Sequence, residues 1–213
     1  MSDPSIAAAY DQWASSYDLE VNRTRDLDRQ TLRALLADRS FAHTVEAGCG
    51  TGKNTAWLAE RSRRVTALDI STGMLAMARP KLCLGHVAFV QADLQVPPWP
   101  VPTAVADLVT FNLVLEHVAD LGPVLAEAAR VLRPGGTLCV CEWHPFRQYQ
   151  GKQANFQRDG VVTRVPAFVH HVSDYLAAAQ AAGLTLCELR EAWHSEDAGR
   201  PPRLLALRWQ HTG

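Results

Sequence analysis

The 213-residue chain has no apolar run approaching the ~18 residues that would suggest a membrane span, and its first ten residues carry no basic segment followed by an apolar stretch. Neither a spanning helix nor an export signal is expected, and the protein is expected in the cytoplasm. An excess of charge is lacking too. A net charge of −1 leaves no electrostatic footprint for a general nucleic-acid binder. The five cysteines, Cys49, Cys83, Cys139, Cys141 and Cys187, are odd in number and include no Cys-x-x-Cys pair, which argues against a disulfide framework or a metal centre. They read as reduced core thiols, and Cys139 and Cys141, two apart in a strand-like run, should share one face of it. No stretch resembles a linker, so one α/β domain is expected over residues 1–213.

What is present is concentrated in residues 45–55, Val-Glu-Ala-Gly-Cys-Gly-Thr-Gly-Lys-Asn-Thr. An acid and three closely spaced glycines stand there between a β-branched segment (His43, Thr44, Val45) and a helical one (54–61), the pattern of a strand, a sharp turn and a helix around a ligand. A phosphate-binding P-loop is excluded because Ala47 occupies the place of its first glycine and Asn54 that of its hydroxyl. The dinucleotide fingerprint fails because its third glycine comes one residue early, at Gly52. Glu46, two residues before the first glycine, disfavours a pyrophosphate and suits a cationic ligand such as an ammonium or sulfonium group. Through Glu46, Gly48, Gly50 and Gly52 the chain resembles the class I S-adenosylmethionine-dependent methyltransferases of small-molecule type, in the ubiquinone/menaquinone-biosynthesis-like group. A nicotinamide-dependent oxidoreductase and a non-catalytic S-adenosylmethionine-binding regulator are the competing readings.

Further features follow in the order of that family. Tyr10-Asp11-x-Trp13-Ala14-x-x-Tyr17-Asp18 places both tyrosines on one face of a helix over residues 5–18. By resemblance this stretch closes over the cofactor, with Tyr17 against the methionine carboxylate. Leucines at 27, 32, 35 and 36 give a second helical stripe, so residues 1–40 form a helical cap. Strands are expected at 64–70, 87–91, 107–111 and 137–143, with Ser71 or Thr72 and Asp120 capping the intervening helices and Arg133-Pro134-Gly135-Gly136 ending the second of them. Asp69, 19 residues past Gly50, stands where an acid meets ribose hydroxyls in nucleotide-binding βαβ units. The proline-rich residues 96–102 must form a loop. The resemblance implies that Asp93 meets the adenine and Asn112 the methionine end. It implies cofactor contacts at Tyr17, Glu46, Gly48, Cys49, Gly50, Gly52, Asp69, Ile70, Met74, Asp93, Leu94 and Asn112, and no metal.

Alternating strands and helices imply a Rossmann-like, doubly wound, mostly parallel sheet, and the resemblance completes it to seven strands with an antiparallel C-terminal pair (184–193 and 203–209). Residues 144–171 interrupt the alternation with a hairpin around Asp159-Gly160 and read as a lid. Ser173 caps the helix that follows. Methyl transfer is an in-line displacement governed by positioning, so a general base is needed only where the acceptor arrives protonated. His144, after the fifth strand, and His171 are the candidate bases, whereas His117 reads as structural. Arg147, Lys152, Arg158 and Arg164 against Asp159, interleaved with Phe146, Tyr149, Phe156 and Phe168, suggest a small anionic acceptor, with Arg147 and Tyr149 as its contacts.

Overall fold

A computed structural model describes residues 4–158 and 160–213. Two helices, α1 (Pro4–Trp13) and α2 (Arg23–Leu35), precede β1 (Phe41–Ala47), α3 (Thr55–Ala59), β2 (Ser62–Asp69), α4 (Thr72–Ala78) and β3 (Val87–Gln91). The chain continues through β4 (Ala106–Asn112), α5 (Leu121–Val131), β5 (Leu132–Trp143) and α6 (Pro145–Tyr149). A small hairpin, β6 (Asn155–Arg158) and β7 (Val161–Arg164), is followed by α7 (Val172–Ala181), β8 (Leu184–Ala192) and β9 (Leu204–His211). Seven strands form one sheet in the order β3-β2-β1-β4-β5-β9-β8, and β6-β7 stands apart. The pairs among β1 to β5 are parallel, while β9 runs antiparallel to both β5 and β8. Because the order reverses between β1 and β4, the crevice at the carboxyl ends of these strands is the natural ligand position.

Side-chain alternation distributes the core over both faces. Leu138 and Val140 of β5, with Phe111 and Leu207, pack against α5 and α7. Cys139 and Cys141, with Leu108 and Ala206, pack against α2 and α3. The two cysteines therefore share a face, but Cys83 and Cys187 are exposed and do not belong to the core. Capping follows local chemistry: Ser71 Oγ accepts from Met74 N at 3.0 Å, and Asp120 Oδ1 accepts from Gly122 N at 2.9 Å. The last helix departs from expectation. It starts at Val172 with His171 as its cap residue, because Asp174 reaches back to accept the His171 N–H at 2.8 Å, and Ser173 lies inside it. α1 is also shorter than its tyrosine spacing suggests, ending at Trp13. Tyr17 returns toward Tyr10 through a further turn, in which its N–H donates to Trp13 O at 2.9 Å. The expected turn residue Asp159 lies outside the described residues; Gly160 beside it has φ +81°.

Candidate functional site

The turn after β1 forms the floor of a cleft at the carboxyl ends of β1, β2 and β4. Its three glycines all have positive φ, and each serves a different purpose. A Cβ on Gly48 would lie 2.5 Å from Val114 Cγ2, so the turn can pass under the segment after β4 only without a side chain. A Cβ on Gly50 would meet open space, and Gly50 lines the cleft. Gly52, expected to touch a ligand, is absent from the lining; a Cβ there would come 3.0 Å from Leu82 Cδ1, so its role is backbone conformation and packing. Asp69, at the end of β2, accepts from Gly50 N at 2.7 Å and Ser71 N at 2.9 Å, which ties the glycine turn to the start of α4. Cys49, Ile70, Met74, Asp93, Leu94 and Asn112 line the same cleft, as do Tyr17, Glu46 and Gly48.

Three buried acids converge here. Burial, the nearby Asp28 and Asp69 carboxyls adding to it, pushes Glu46 up to about 8 although it accepts the Thr55 hydroxyl. Burial lifts Asp69 to about 6 and raises Asp28. Asp28 was not apparent from the sequence; it accepts the side-chain amides of Asn54 (2.9 Å) and Asn112. Among the described residues that leaves the Asn112 Oδ1 buried without a partner, an acceptor for a cationic donor. The counterpart is Arg25, also unanticipated. It is 7% exposed, its guanidinium lies 4.0 Å from the Tyr17 ring centroid, and it donates to the Tyr17 and Glu20 carbonyls. Among the described residues no carboxylate pairs with it, and its Nε has no partner. The other cleft cation, Lys53, is engaged by Asp26 at 2.9 Å. A cleft with an acidic wall, a free amide oxygen and one uncompensated guanidinium suits a ligand that is cationic along one side and carries a carboxylate. The sequence held one clue: residues 25, 28, 32 and 35 fall on one helical face, so a charged pair continues an apolar stripe.

The catalytic expectations require correction. His144 caps α6, its Nδ1 accepting from Phe146 N at 3.2 Å and its Nε2 meeting Glu191 at 3.0 Å, and it does not line the cleft. His171 caps α7 at the surface, beside the exposed Tyr149, and neither lines the cleft. Arg147 turns away into a buried ion pair with Asp197 at 2.9 Å, where Arg203 makes two further bonds of 2.7 Å. The expectation that it faces the crevice is not met, because the fully buried Asp197 draws both guanidiniums. His117, read as structural, does line the cleft. Its Nδ1 donates to Pro166 O at 2.7 Å, which leaves Nε2 to accept the Tyr10 hydroxyl at 2.7 Å. Burial lowers its pKa to about 4, so the ring is neutral and braces Tyr10 against the 165–168 segment.

A second chamber shares Tyr10, Tyr17, Arg25 and Leu113 with the cleft as a common wall. Glu116, Trp143, Arg23, Arg203, Lys152 and Asn155 close its other sides. The β6-β7 hairpin forms part of its roof by docking on α1, where Phe156 stacks on Trp13 with ring centroids 5.2 Å apart. The hairpin contributes Asn155 to the lining of this chamber.

The model of a family described as a methyltransferase domain matches residues 45–140. The uncharacterized methyltransferase AN0656 of Emericella nidulans is 30% identical over 86% of this chain and 77% of its own length. The malonyl-[acyl-carrier protein] O-methyltransferase of Salmonella typhimurium is 37% identical over 68% of this chain, and the trans-aconitate 2-methyltransferase of Azoarcus sp. is 42% identical over 60%. The chain spans 57% and 49% of the lengths of these two relatives. Among solved structures, the DhpI–SAH complex superposes with a TM-score of 0.70 and 26% identity, covering 96% of this chain and 94% of that one.

Proposed function

The chain belongs to the class I S-adenosylmethionine-dependent methyltransferases, and from that membership we infer that it moves a methyl group to an oxygen or nitrogen of a small acceptor bearing an anionic group. The family sets the nicotinamide-dependent reading aside. S-adenosylmethionine supplies a methyl group made electrophilic by its sulfonium; the protein's part is binding and alignment. Glu46 and the free Asn112 Oδ1 suit the ammonium and sulfonium groups, Arg25 beside Tyr17 the methionine carboxylate, Asp69 the ribose hydroxyls and Asp93 the adenine. The observation that carries the reading is this charge pattern: three buried acids against one buried guanidinium that no carboxylate among the described residues compensates, in a single cleft. The cationic lining of the adjoining chamber supports an anionic acceptor, as does the likeness to relatives named for malonyl and trans-aconitate acceptors.

Calorimetry with S-adenosylmethionine, S-adenosylhomocysteine and NAD, followed by a methyl-transfer screen over carboxylate, phosphate, hydroxyl and amine acceptors, tests it. Binding of the first two ligands with turnover of an anionic acceptor is expected. Binding without turnover on any acceptor would instead favour a regulatory cofactor-binding protein.

A further inference from the structure

Glu116 is the anomalous member of the second chamber's wall. It is 2% exposed, and its Oε2 has no hydrogen-bond partner among the described residues. No lysine or arginine pairs with it there; the nearest basic atom is His117 Nε2, 3.8 Å from Oε1, on a ring that is neutral and already accepts from Tyr10. The Ala154 backbone N–H favours its charged form, but the titratable groups facing it make ionisation harder or stand apart. Glu142, on β5, is a second buried acid with an unpartnered Oε2, and Tyr10 and Tyr175 are buried phenols raised well above their usual range by burial. Of the chamber's cations, Arg203 is held by Asp197 and Arg23 by Glu196. Arg25 stands at the cofactor side. Lys152 makes no ion pair among the described residues.

We propose that the second chamber seats the acceptor as a carboxylate, that Glu116 donates a hydrogen bond from its own protonated carboxyl to that carboxylate, and that Lys152 supplies the counter-charge. The inference rests on the methyltransferase reading and narrows its acceptor. Burial, with Glu142 adding to it, pushes Glu116 up to about 8, in keeping with a proton held at neutral pH. A protonated acid is no base, and neither His117, engaged at both nitrogens, nor the raised tyrosines can take a proton readily. An acceptor in this chamber must therefore arrive already ionised at its nucleophilic atom, which a carboxylic acid does and a hydroxyl or ammonium group does not. The carboxylate oxygen bonds to the methyl carbon as the carbon–sulfur bond breaks, its electron pair remaining on sulfur. The products are a methyl ester and the neutral thioether S-adenosylhomocysteine. No proton moves, Glu116 keeps its own, and the ester has lost the charge that held it to Lys152.

The test titrates trans-aconitate and a malonyl thioester into protein saturated with S-adenosylhomocysteine, by calorimetry from about pH 6.5 to about 9, with turnover measured alongside. Affinity and kcat/KM of the wild type should fall about tenfold by one unit above the Glu116 pKa, where roughly a tenth of the donor remains. Glu116→Gln, which cannot ionise, should lose that fall with pH, whereas Lys152→Ala should raise KM at every pH. Unchanged S-adenosylhomocysteine affinity reports intact folding. A fall with pH that persists in a folded Glu116→Gln variant, or wild-type affinity that rises with pH, overturns the assignment of Glu116. Transfer to hydroxyl or amine acceptors with none to carboxylates overturns the acceptor class and leaves the methyltransferase reading standing; transfer to no acceptor at all removes both.

Discussion

On the proposed reading, single side chains, Glu46 and Arg25, set the ligand's character. At neutral pH the unliganded cleft holds Glu46 mostly protonated, since burial and its neighbouring acids lift it to about 8. A cation arriving beside it favours the carboxylate, so S-adenosylmethionine should bind more tightly as pH rises from about 6.5 to about 8.5, with proton release measurable in buffers of different ionisation enthalpy. Glu46→Gln should remove that dependence and cost more with S-adenosylmethionine than with S-adenosylhomocysteine, whose sulfur is neutral. Equal losses would mean that Glu46 serves the amino group or the turn. Arg25→Met should weaken both ligands alike, by about 2 to 3 kcal/mol, because both carry the same carboxylate. Asp69→Ala should cost at least ~1 kcal/mol in S-adenosylhomocysteine affinity by the same calorimetry, since the acid both faces the cleft and fixes Gly50.

At the scale of elements, the segment after β5 divides into a clamp and a roof. The clamp is Arg147 of α6 with Arg203 on the buried Asp197, whose carboxyl is held far below the usual range chiefly by the Arg203 hydrogen bond. Arg147→Ala should therefore lower the unfolding free energy in urea by about 3 kcal/mol, a modest value for a broken buried pair because Arg203 remains. It should leave the acceptor's KM alone below the melting transition; a raised KM would return Arg147 to the acceptor site. The roof is the β6-β7 hairpin, joined to α1 by Phe156 on Trp13 and by Val165. Two short strands are not stable by themselves, so this apolar contact is what keeps the hairpin over the second chamber.

Across the whole molecule, the concentration of raised acids makes stability depend on ligand and pH. Glu46, Glu116 and Glu142 lie at about 8 and Asp69 at about 6, all because of burial first. In the unfolded chain the glutamates return to about 4.5, so between there and about 8 the folded state binds more protons than the unfolded one. Stability is then fully present below about 4.5 with respect to these groups and declines as pH rises through about 8. Urea unfolding of the ligand-free protein should show that decline from about pH 5.5 to about 8.5, and saturating S-adenosylmethionine should remove only the share that Glu46 contributes. A ligand-free protein that gains stability over that range would contradict the buried-acid picture.

The chain's own order settled a good deal. β3 occupies residues 87–91 as expected from local pattern, Ser71 and Asp120 cap their helices, and the acid-and-glycine turn lies at the mouth of the sheet. These features are legible because they depend on neighbours in sequence: a positive φ calls for glycine, an open helix start calls for a short oxygen-bearing side chain, and a buried strand calls for β-branched residues. Only the tertiary structure decided what the long polar side chains do. Arg25 and Asp28 look like solvated helix charges until α2 packs against the sheet, Arg147 looks like a free lid cation until Asp197 captures it, and His144 and His171 look like bases until they cap helices. Burial of Glu116 arises where the turn after β4, the 165–168 segment and Glu142 of β5 meet. Its proton affinity is set by partners remote in sequence and by the absence of a cation among the described residues facing it, which no local pattern of residues encodes.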